Sequence, residues 1–249
     1  MDWEREREVV KREFDRQGYV VTREFLDADE VQELRQEIER YIVESLPRVP
    51  PQDVYFEVNG DPATIKQLVR MSEYDSYFER LLASEPFVKL AELLVGETVI
   101  GKNMQWFNKP IGSSRATPPH QDGYYFMLTP NEAITMWLAL DEVGEDNGCV
   151  RYVKGSHLRG LRMHERTDTP GFSQAIVDYG LDDAQNEVAI EALPGDLLVH
   201  HSLTIHRADA NRSQRRRRAL GMIYYSSAAN EDSQRLQEYQ RELAKQVLL

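Results

Sequence analysis

Two residues that commonly bind transition metals, His120 and Asp122, lie two positions apart behind Pro118 and Pro119. In an extended chain, residues two apart point to the same side, so both side chains can reach one ion if this stretch is extended. Pro119 favours an extended conformation for the residue before it, which supports that condition. A His-x-Asp pair alone is a weak signal, because it also occurs on surfaces that bind no metal. A metal site here therefore needs a third ligand from elsewhere in the chain.

The histidine-rich segment after the turn at 194–196 offers that third ligand. His206 would complete a set of two histidines and one carboxylate, which leaves coordination positions open and is diagnostic of non-haem Fe(II) oxygenases. His200 and His201 are rival third ligands, although they lie closer to the turn and adjacent residues of a strand cannot share a face. A catalytic zinc site with two histidines and an aspartate is the competing interpretation.

An arginine run further along the chain favours iron over zinc. Four arginines at 215–218 lead into the apolar stretch Ala219–Tyr225, which is typical of a strand. 2-Oxoglutarate would chelate iron through its keto acid end, and its far carboxylate needs a bidentate cation, for which arginine has the right fork. Because alternate residues of a strand point to opposite faces, we expect one buried arginine and several solvated ones rather than a nucleic-acid patch.

The composition is that of a globular protein with little attraction for polyanions. The 249 residues are 41% hydrophobic and 29% charged, which suits one sizeable domain, and the net charge of -12 disfavours nucleic acid and anionic membranes as partners. Cys149 is the only cysteine, so it cannot form an internal disulfide, and we expect a buried structural thiol. No apolar run reaches the length of a membrane span and the first residues lack the apolar core of a signal peptide, so the predicted location is the cytoplasm.

The elements that must position these residues come as helices first and strands second. Amphipathic spacing predicts a helix over 3–17, ended by Gly18, and a second helix over 31–42 behind an acidic start. Two more helical patterns fall within 74–95 and break near Glu85-Pro86. Apolar or alternating runs between clusters of Gly, Pro, Asn and Asp then predict strands at 19–21, 99–107, 134–140, 150–153, 197–200 and 219–225.

Many short strands with helices on one side predict a mainly β sandwich or barrel with flanking helices. We assign 1–249 to a single domain, in which 1–97 is helical support, 98–226 is the β core and 227–249 is a charged C-terminal helix. The segment 158–190 has few periodic signals and is predicted to be an insertion between strands, of the kind that forms lids.

The motifs, taken in this order, resemble the phytanoyl-CoA dioxygenase family. The likeness covers nearly the whole chain and is strongest over 103–157 and 194–225, and the ordered set is far more specific than any one motif. Its pieces are Asn108-Lys109-Pro110, His120-Gln121-Asp122, Trp137, residues 145–149, Gly155-Ser156-His157, Gly195-Asp196, His206, Asn211 and an arginine within 215–218.

The resemblance implies a double-stranded β-helix, also called a jelly roll or cupin-like barrel, that holds Fe(II) and uses 2-oxoglutarate and O2, with ascorbate as the reductant. It implies His120, Asp122 and His206 as iron ligands. The family's cosubstrate arginine lies eleven residues after the second histidine, which gives Arg217, with Arg215 two residues away in reserve. The other implied cosubstrate contacts are Trp137, Gln105 and Lys66.

Two positions bear on the expected reaction. Ala208 stands where family members can carry a serine that bonds the cosubstrate, so that contact is missing. Asp122 is retained, whereas halogenating relatives of this chemistry carry a small residue there, so halogenation is disfavoured. The resemblance implies hydroxylation of a C–H bond of a small molecule with release of succinate and CO2, although desaturation, epimerisation or ring formation can replace it. It gives no reason to assign an acyl-CoA substrate.

Two other classes of function remain as alternatives. One is a non-catalytic jelly-roll protein that binds a metal or a small ligand, against which the complete ligand set and the arginine argue. The other is a cupin-type zinc or manganese enzyme, which a dependence on 2-oxoglutarate would exclude. We expect substrate specificity in 47–66 and 158–190, while His164 is expected to face solvent and His157 to be satisfied by the backbone. The aromatic residues 124–126 either shape the substrate side or pack in the barrel.

Overall fold

A computed structural model describes residues 3–58, 60–112, 114–169, 172–238 and 241. Its helices are α1 (Arg7–Gln17), α2 (Ala28–Arg40), α3 (Met71–Tyr74), α4 (Ser76–Leu82), α5 (Glu85–Val95), α6 (Gly123–Phe126) and α7 (Leu181–Gln185). Its strands are β1 (Tyr19–Thr22), β2 (Val54–Phe56), β3 (Ile65–Leu68), β4 (Val99–Lys109), β5 (Thr117–His120), β6 (Leu128–Thr129), β7 (Ala133–Ala139), β8 (Val150–Val153), β9 (His164–Thr169), β10 (Phe172–Ile176), β11 (Glu187–Ile190), β12 (Leu197–His201), β13 (His206–Ala208), β14 (Arg217–Ser226) and β15 (Asn230–Glu231).

The first two helices end and begin where local chemistry requires it. Gly18 ends α1 with a left-handed φ of 82°, and its amide donates to Phe14 O at 2.7 Å. Asp27 begins α2, because its carboxylate accepts from the Glu30 amide at 2.9 Å while the Glu30 carboxylate accepts from the Asp27 amide at 2.8 Å. The end of the first helix at Gly18 and the acidic start of the second are confirmed, whereas the first helix begins at Arg7 and not at residue 3 as predicted.

Antiparallel strands form two main sheets. The seven-stranded sheet has the order β1-β12-β7-β14-β4-β3-β2, and the four-stranded sheet has the order β11-β8-β13-β5. β9 and β10 pair in a two-stranded antiparallel sheet, and β6 pairs with β15. This mainly β architecture with helices packed on one side confirms the predicted fold class, a jelly roll with an N-terminal helical layer.

Strand β7 packs against the helical layer on one face and against the interior between the two sheets on the other. Ile134, Met136 and Leu138 belong to the core that contains the helices, whereas Trp137 and Ala139 belong to a second core between the two sheets. Every residue of β7 is buried, which is why its sequence is almost continuously apolar instead of alternating. The face that carries Trp137 is the one that looks into the interior of the barrel.

Two predicted segments differ from the structure in detail. The last residues of 158–190 form β11, which pairs with β8 at one edge of the four-stranded sheet, so this segment is more than an insertion between strands. Four residues of mixed character give too weak a periodic signal to reveal such a strand. Of the C-terminal helix, residues 233–238 are helical, and 239, 240 and 242–249 lie outside the described residues. None of the described helices is both long and apolar enough to cross a membrane.

Candidate active site

Three side chains from two neighbouring strands and a short turn converge on one point. His120 is the last residue of β5 and pairs in the ladder with His206, the first residue of β13. Asp122 immediately precedes α6. The Nε2 atoms of His120 and His206 lie 3.6 and 3.7 Å from Asp122 Oδ1, and one ligand atom of each residue lies within 4.8 Å of the other two. The structure brings the three predicted metal ligands together.

The backbone conformation that brings Asp122 to this cluster differs from the predicted one. Its φ of -58° and ψ of -33° are helical, so the stretch is not extended and the same-face argument for a strand was wrong here. The chain turns after His120, and the Gly123 amide donates to Ser202 O at 2.8 Å, which ties the turn to the segment after β12. A Cβ on Gly123 would lie 2.6 Å from side-chain atoms of Asn131, so the tight approach favours glycine.

Backbone carbonyls orient both imidazoles. Nδ1 of His120 bonds Pro118 O at 2.8 Å, and Nδ1 of His206 bonds Thr204 O at 3.0 Å. A carbonyl oxygen only accepts, so each Nδ1 carries the hydrogen and each Nε2 presents its lone pair to the cluster. Burial, followed by the nearby His120 and His200, holds the pKa of His206 well below its ordinary value, which keeps this ring neutral and able to bind a metal.

Asp122 supplies the negative charge of the cluster. Burial alone would raise the pKa of its carboxyl, but the surrounding imidazoles, together with the hydrogen bond that His200 Nε2 donates to Oδ2, outweigh it and hold that pKa well below its ordinary value. One ionised carboxylate beside two histidines is a donor set that fits a divalent transition metal. The residues present therefore fit Fe(II), although zinc accepts the same donors.

The two rival histidines on β12 face different neighbours. His200 bonds Asp122 Oδ2 through Nε2 at 3.0 Å and the Tyr152 hydroxyl through Nδ1 at 2.9 Å. His201 bonds Glu132 through Nε2 at 3.2 Å, away from the cluster. The expectation that adjacent histidines cannot share a strand face is confirmed, and His200 is engaged by side chains through both ring nitrogens.

A cavity of about 440 Å³ connects the three side chains with Arg217. Arg217 is 4% exposed, its guanidinium carbon lies 5.2 Å from the centre of the Trp137 ring, and its Nε has no hydrogen-bond partner among the described residues. Burial lowers the pKa of Arg217 to about 10, so it stays charged at neutral pH. A buried cation without a counter-ion is costly, and an anionic ligand would remove that cost.

Arg215, the reserve candidate, does not line this cavity. It lies just before β14 begins, and it forms ion pairs with Glu142 at 2.8 Å and Asp146 at 3.0 Å on the surface. The expectation of one buried arginine among exposed ones is confirmed, since Arg217 is buried and Arg215 and Arg216 are exposed.

The other predicted cosubstrate residues also line the cavity. Lys66 Nζ lies 3.7 Å from Glu57 Oε1, and Gln105 Oε1 accepts from Gln67 at 2.7 Å. Lys109 is a further buried cation there, opposite Arg217 in the ladder, and its Nζ donates to Arg115 O at 2.6 Å. Burial lowers the pKa of both lysines. The sequence singled out Lys109 in a motif but did not indicate its position beside Arg217. Lys66, Lys109 and Arg217 therefore gather positive charge in one part of the cavity, which we call its inner end.

Several residues around the cavity differ from their expected places. His164 was expected to face solvent, but it is buried. Its Nε2 accepts from the Gln121 amide at 3.1 Å, and its ring stacks on Tyr124. Tyr125 and Phe126 line the cavity, whereas Tyr124 does not. His157 bonds Asp15 O at 3.1 Å, as expected of a histidine satisfied by the backbone, although its Nδ1 has no partner among the described residues.

The cavity opens towards a rim that is built mainly outside the two expected specificity segments. None of the described residues of 158–190 lines it, and Tyr55 and Lys66 are the contribution of 47–66 among the described residues. The rim charges come instead from Arg70, Glu73, Lys102 and Glu231. These residues are distant in sequence, so only the pairing of strands brings them together.

The sequence profile of the phytanoyl-CoA dioxygenase family matches residues 14–219. The peroxisomal phytanoyl-CoA dioxygenase of Rattus norvegicus is 27% identical over 229 residues, which span 86% of this chain and 67% of the rat protein. A probable alpha-ketoglutarate-dependent hypophosphite dioxygenase of Stutzerimonas stutzeri is 28% identical over 224 residues, which span 88% of this chain and 78% of that protein.

A solved structure shares both the fold and the type of ligands expected here. The epimerase SnoN, in a crystal structure with Fe3+, alpha ketoglutarate and nogalamycin RO, matches with a TM-score of 0.74 at 26% identity. The match covers 92% of this chain and 86% of that chain. The sequence relatives, the structural likeness and the His-Asp-His cluster agree on an iron- and 2-oxoglutarate-dependent chemistry.

Proposed function

Because the chain belongs to the phytanoyl-CoA dioxygenase family and is an Fe(II)- and 2-oxoglutarate-dependent dioxygenase, we propose that it hydroxylates a C–H bond of a small molecule. The cavity of about 440 Å³ is of the size that small-molecule sites have. The retained carboxylate Asp122 argues against halogenation.

In this proposal, His120, Asp122 and His206 hold Fe(II). The support is chemical: two lone pairs and one ionised oxygen lie within 4.8 Å of one another, and backbone carbonyls fix both rings. Iron together with 2-oxoglutarate supplies the oxidising power, with succinate and CO2 as by-products. The protein supplies the orientation of its ligands and the cavity in which they meet.

Arg217 would hold the far carboxylate of 2-oxoglutarate. The single observation that carries the proposal is this buried guanidinium, which has no counter-ion among the described residues and shares one cavity with the His-Asp-His cluster. Trp137 packs against the guanidinium and would form one side of the cosubstrate site. Lys66 and Gln105 would contact the cosubstrate from β3 and β4. Arg217 offers a fork that matches a carboxylate.

Substrate would enter from the rim, where Tyr125 and Phe126 line the wall next to the cluster. The His120 and Tyr125 ring centres are 6.1 Å apart, so a substrate against Tyr125 would lie close to the metal. Which C–H bond is nearest would decide between hydroxylation and desaturation, epimerisation or ring formation. An acyl-CoA substrate is not part of the proposal.

The proposal also covers the domain extent, the location, the reductant and the partners of the enzyme. We treat 1–249 as one catalytic domain in the cytoplasm, with ascorbate as the reductant and with no nucleic-acid or membrane partner. The buried Cys149 and the net charge of -12 support this setting.

The test is succinate formation by purified protein with Fe(II), 2-oxoglutarate, ascorbate and O2, without added substrate. We expect slow succinate formation that vanishes in His120→Ala. If 2-oxoglutarate binds to the anaerobic iron form without turnover, the assignment stands and substrate controls O2 activation. If it neither binds nor turns over, the proposal is wrong and a zinc or manganese enzyme, or a binding protein, takes its place.

A further inference from the structure

The two oxygens of Asp122 have different surroundings. Oδ1 faces the Nε2 atoms of His120 and His206, at 3.6 and 3.7 Å. Oδ2 accepts from the Thr135 hydroxyl at 2.6 Å and bonds His200 Nε2 at 3.0 Å. One oxygen is thus directed at the cluster, and the other is held by two side chains of the seven-stranded sheet.

The hydrogen bonds of His200 fix its role. An ionised carboxylate oxygen only accepts, so Nε2 of His200 must carry the hydrogen that it shares with Asp122. In a neutral ring Nδ1 is then an acceptor, and the Tyr152 hydroxyl donates to it at 2.9 Å. Tyr152 is fully buried, and its ring stacks on Tyr19 with centres 4.7 Å apart, so packing holds the donor in place.

These contacts affect whether Asp122 can bind a metal through one oxygen or through both. A carboxylate that bound through both oxygens would occupy one of the positions that the two-histidine, one-carboxylate set leaves open. The cosubstrate and O2 both need those positions. Two donors on Oδ2 oppose such binding, because it would leave the Thr135 hydroxyl and the His200 ring without their buried partner.

We propose that Thr135 and His200 hold Oδ2 of Asp122 away from the metal, so that this residue binds through Oδ1 alone, and that Tyr152 positions His200. The proposal rests on the proposed function, since it needs Fe(II) at the cluster. It assigns His200, a rival ligand in sequence, as a positioning residue whose two nitrogens are both engaged by side chains.

Matched variants distinguish the loss of the two hydrogen-bond donors, Thr135 and His200, from a loss of side-chain packing. Thr135→Val keeps the shape and removes the hydroxyl, while Thr135→Ser restores it. His200→Phe removes the ring nitrogens, while His200→Gln returns a side-chain amide donor. His201→Gln alters the adjacent histidine, which bonds Glu132 and not Asp122, and serves as the control.

The first measurement is the absorption spectrum of the Co(II)-substituted protein, which reports the number of metal ligands without turnover. The second is the anaerobic affinity of the Fe(II) protein for 2-oxoglutarate. Thr135→Val and His200→Phe should each change the Co(II) spectrum and weaken 2-oxoglutarate binding about 10-fold, the lower end of the loss in metal affinity or activity found when residues that orient metal ligands are removed. Thr135→Ser should restore both properties, His200→Gln should restore them in part, and His201→Gln should leave them unchanged.

The outcomes distinguish this proposal from the function on which it rests. If the unaltered protein binds metal and 2-oxoglutarate while both donor-free variants match it in spectrum and affinity, the assignment of Oδ2 is wrong and the function stands. If His200→Phe abolishes metal binding as fully as His206→Ala while Thr135→Val has no effect, His200 is a fourth ligand and the proposal is overturned. If the unaltered protein binds neither metal nor 2-oxoglutarate, both are overturned. Thr135→Val decides the matter alone if the His200 variants do not fold.

Discussion

The inner end of the cavity, around Arg217 and Lys109, has less complete pairing of its charges than the rim has. At the inner end, Arg217 is buried and has no counter-ion among the described residues, and Lys109 donates only to a backbone carbonyl. At the rim, Arg70 bonds Asp53 at 3.1 Å, and Lys102 lies 3.9 Å from Glu231. A buried cation that lacks a partner is costly and favours an anionic ligand, whereas paired and partly exposed charges need none. This contrast supports the proposal that the inner end binds the cosubstrate and that the rim contacts the substrate.

Removal of a metal ligand should have the largest effect. We expect His206→Ala to lose Fe(II) binding and to reduce succinate formation to the level without enzyme, because two remaining ligands hold the ion poorly. Metal content after anaerobic loading and succinate formation are the measurements. His201→Ala is the matched control and should keep both. Retention of iron-dependent turnover in His206→Ala would place the metal elsewhere.

Loss of Arg217, the buried cation at the inner end, should have the second-largest effect. Arg217→Ala should raise the 2-oxoglutarate concentration needed for half-maximal succinate formation about 10- to 100-fold, since a hydrogen-bonded charge contributes about 1.5–3 kcal/mol. Arg215→Ala removes an exposed arginine that is paired with Glu142 and Asp146, and it should leave this requirement unchanged. The reverse result would show that the cosubstrate binds two residues away from the position proposed here.

The buried histidine behind the metal motif should make stability depend on pH. Burial lowers the pKa of His164 to about 4, whereas in the unfolded chain it lies near about 6.5. Between these values the unfolded chain takes up a proton that the folded chain does not, so stability falls as the pH drops through this window. From pH 7 to about pH 5, the unaltered protein should lose about 2 kcal/mol more than His164→Gln in urea unfolding. Equal losses would mean that this ring is solvated in the folded protein and that it does not accept the hydrogen bond from the Gln121 amide.

A change at the rim should have the smallest effect on the shared chemistry. Lys102→Ala should alter substrate-free succinate formation less than about twofold, because the side chain is 39% exposed and an exposed ion pair contributes about 0–1 kcal/mol. The kinetics with a true substrate should change more, through KM. A large loss of substrate-free turnover in Lys102→Ala would mean that rim and inner end are not separate in function.

The sequence alone determined the residue types and the order of the elements. His120, Asp122, His206 and Arg217 were identified from their spacing and from the resemblance, and the structure brings these four to one cavity. The boundaries at Gly18 and Asp27 were equally accessible, because the chemistry that ends and begins helices is local.

Only the tertiary structure decided how these residues are held. The helical turn at Asp122, the burial of His164 and the hydrogen bonds of His200 depend on segments that are 43 to 79 residues away along the chain. Periodicity reports which face of a strand a residue occupies, but it does not report which strand lies opposite. Arg215 and Arg217 differ in burial for the same reason: β14 begins at Arg217, whose pairing with Lys109 of β4 places it in the interior, whereas Arg215 precedes the strand and is exposed.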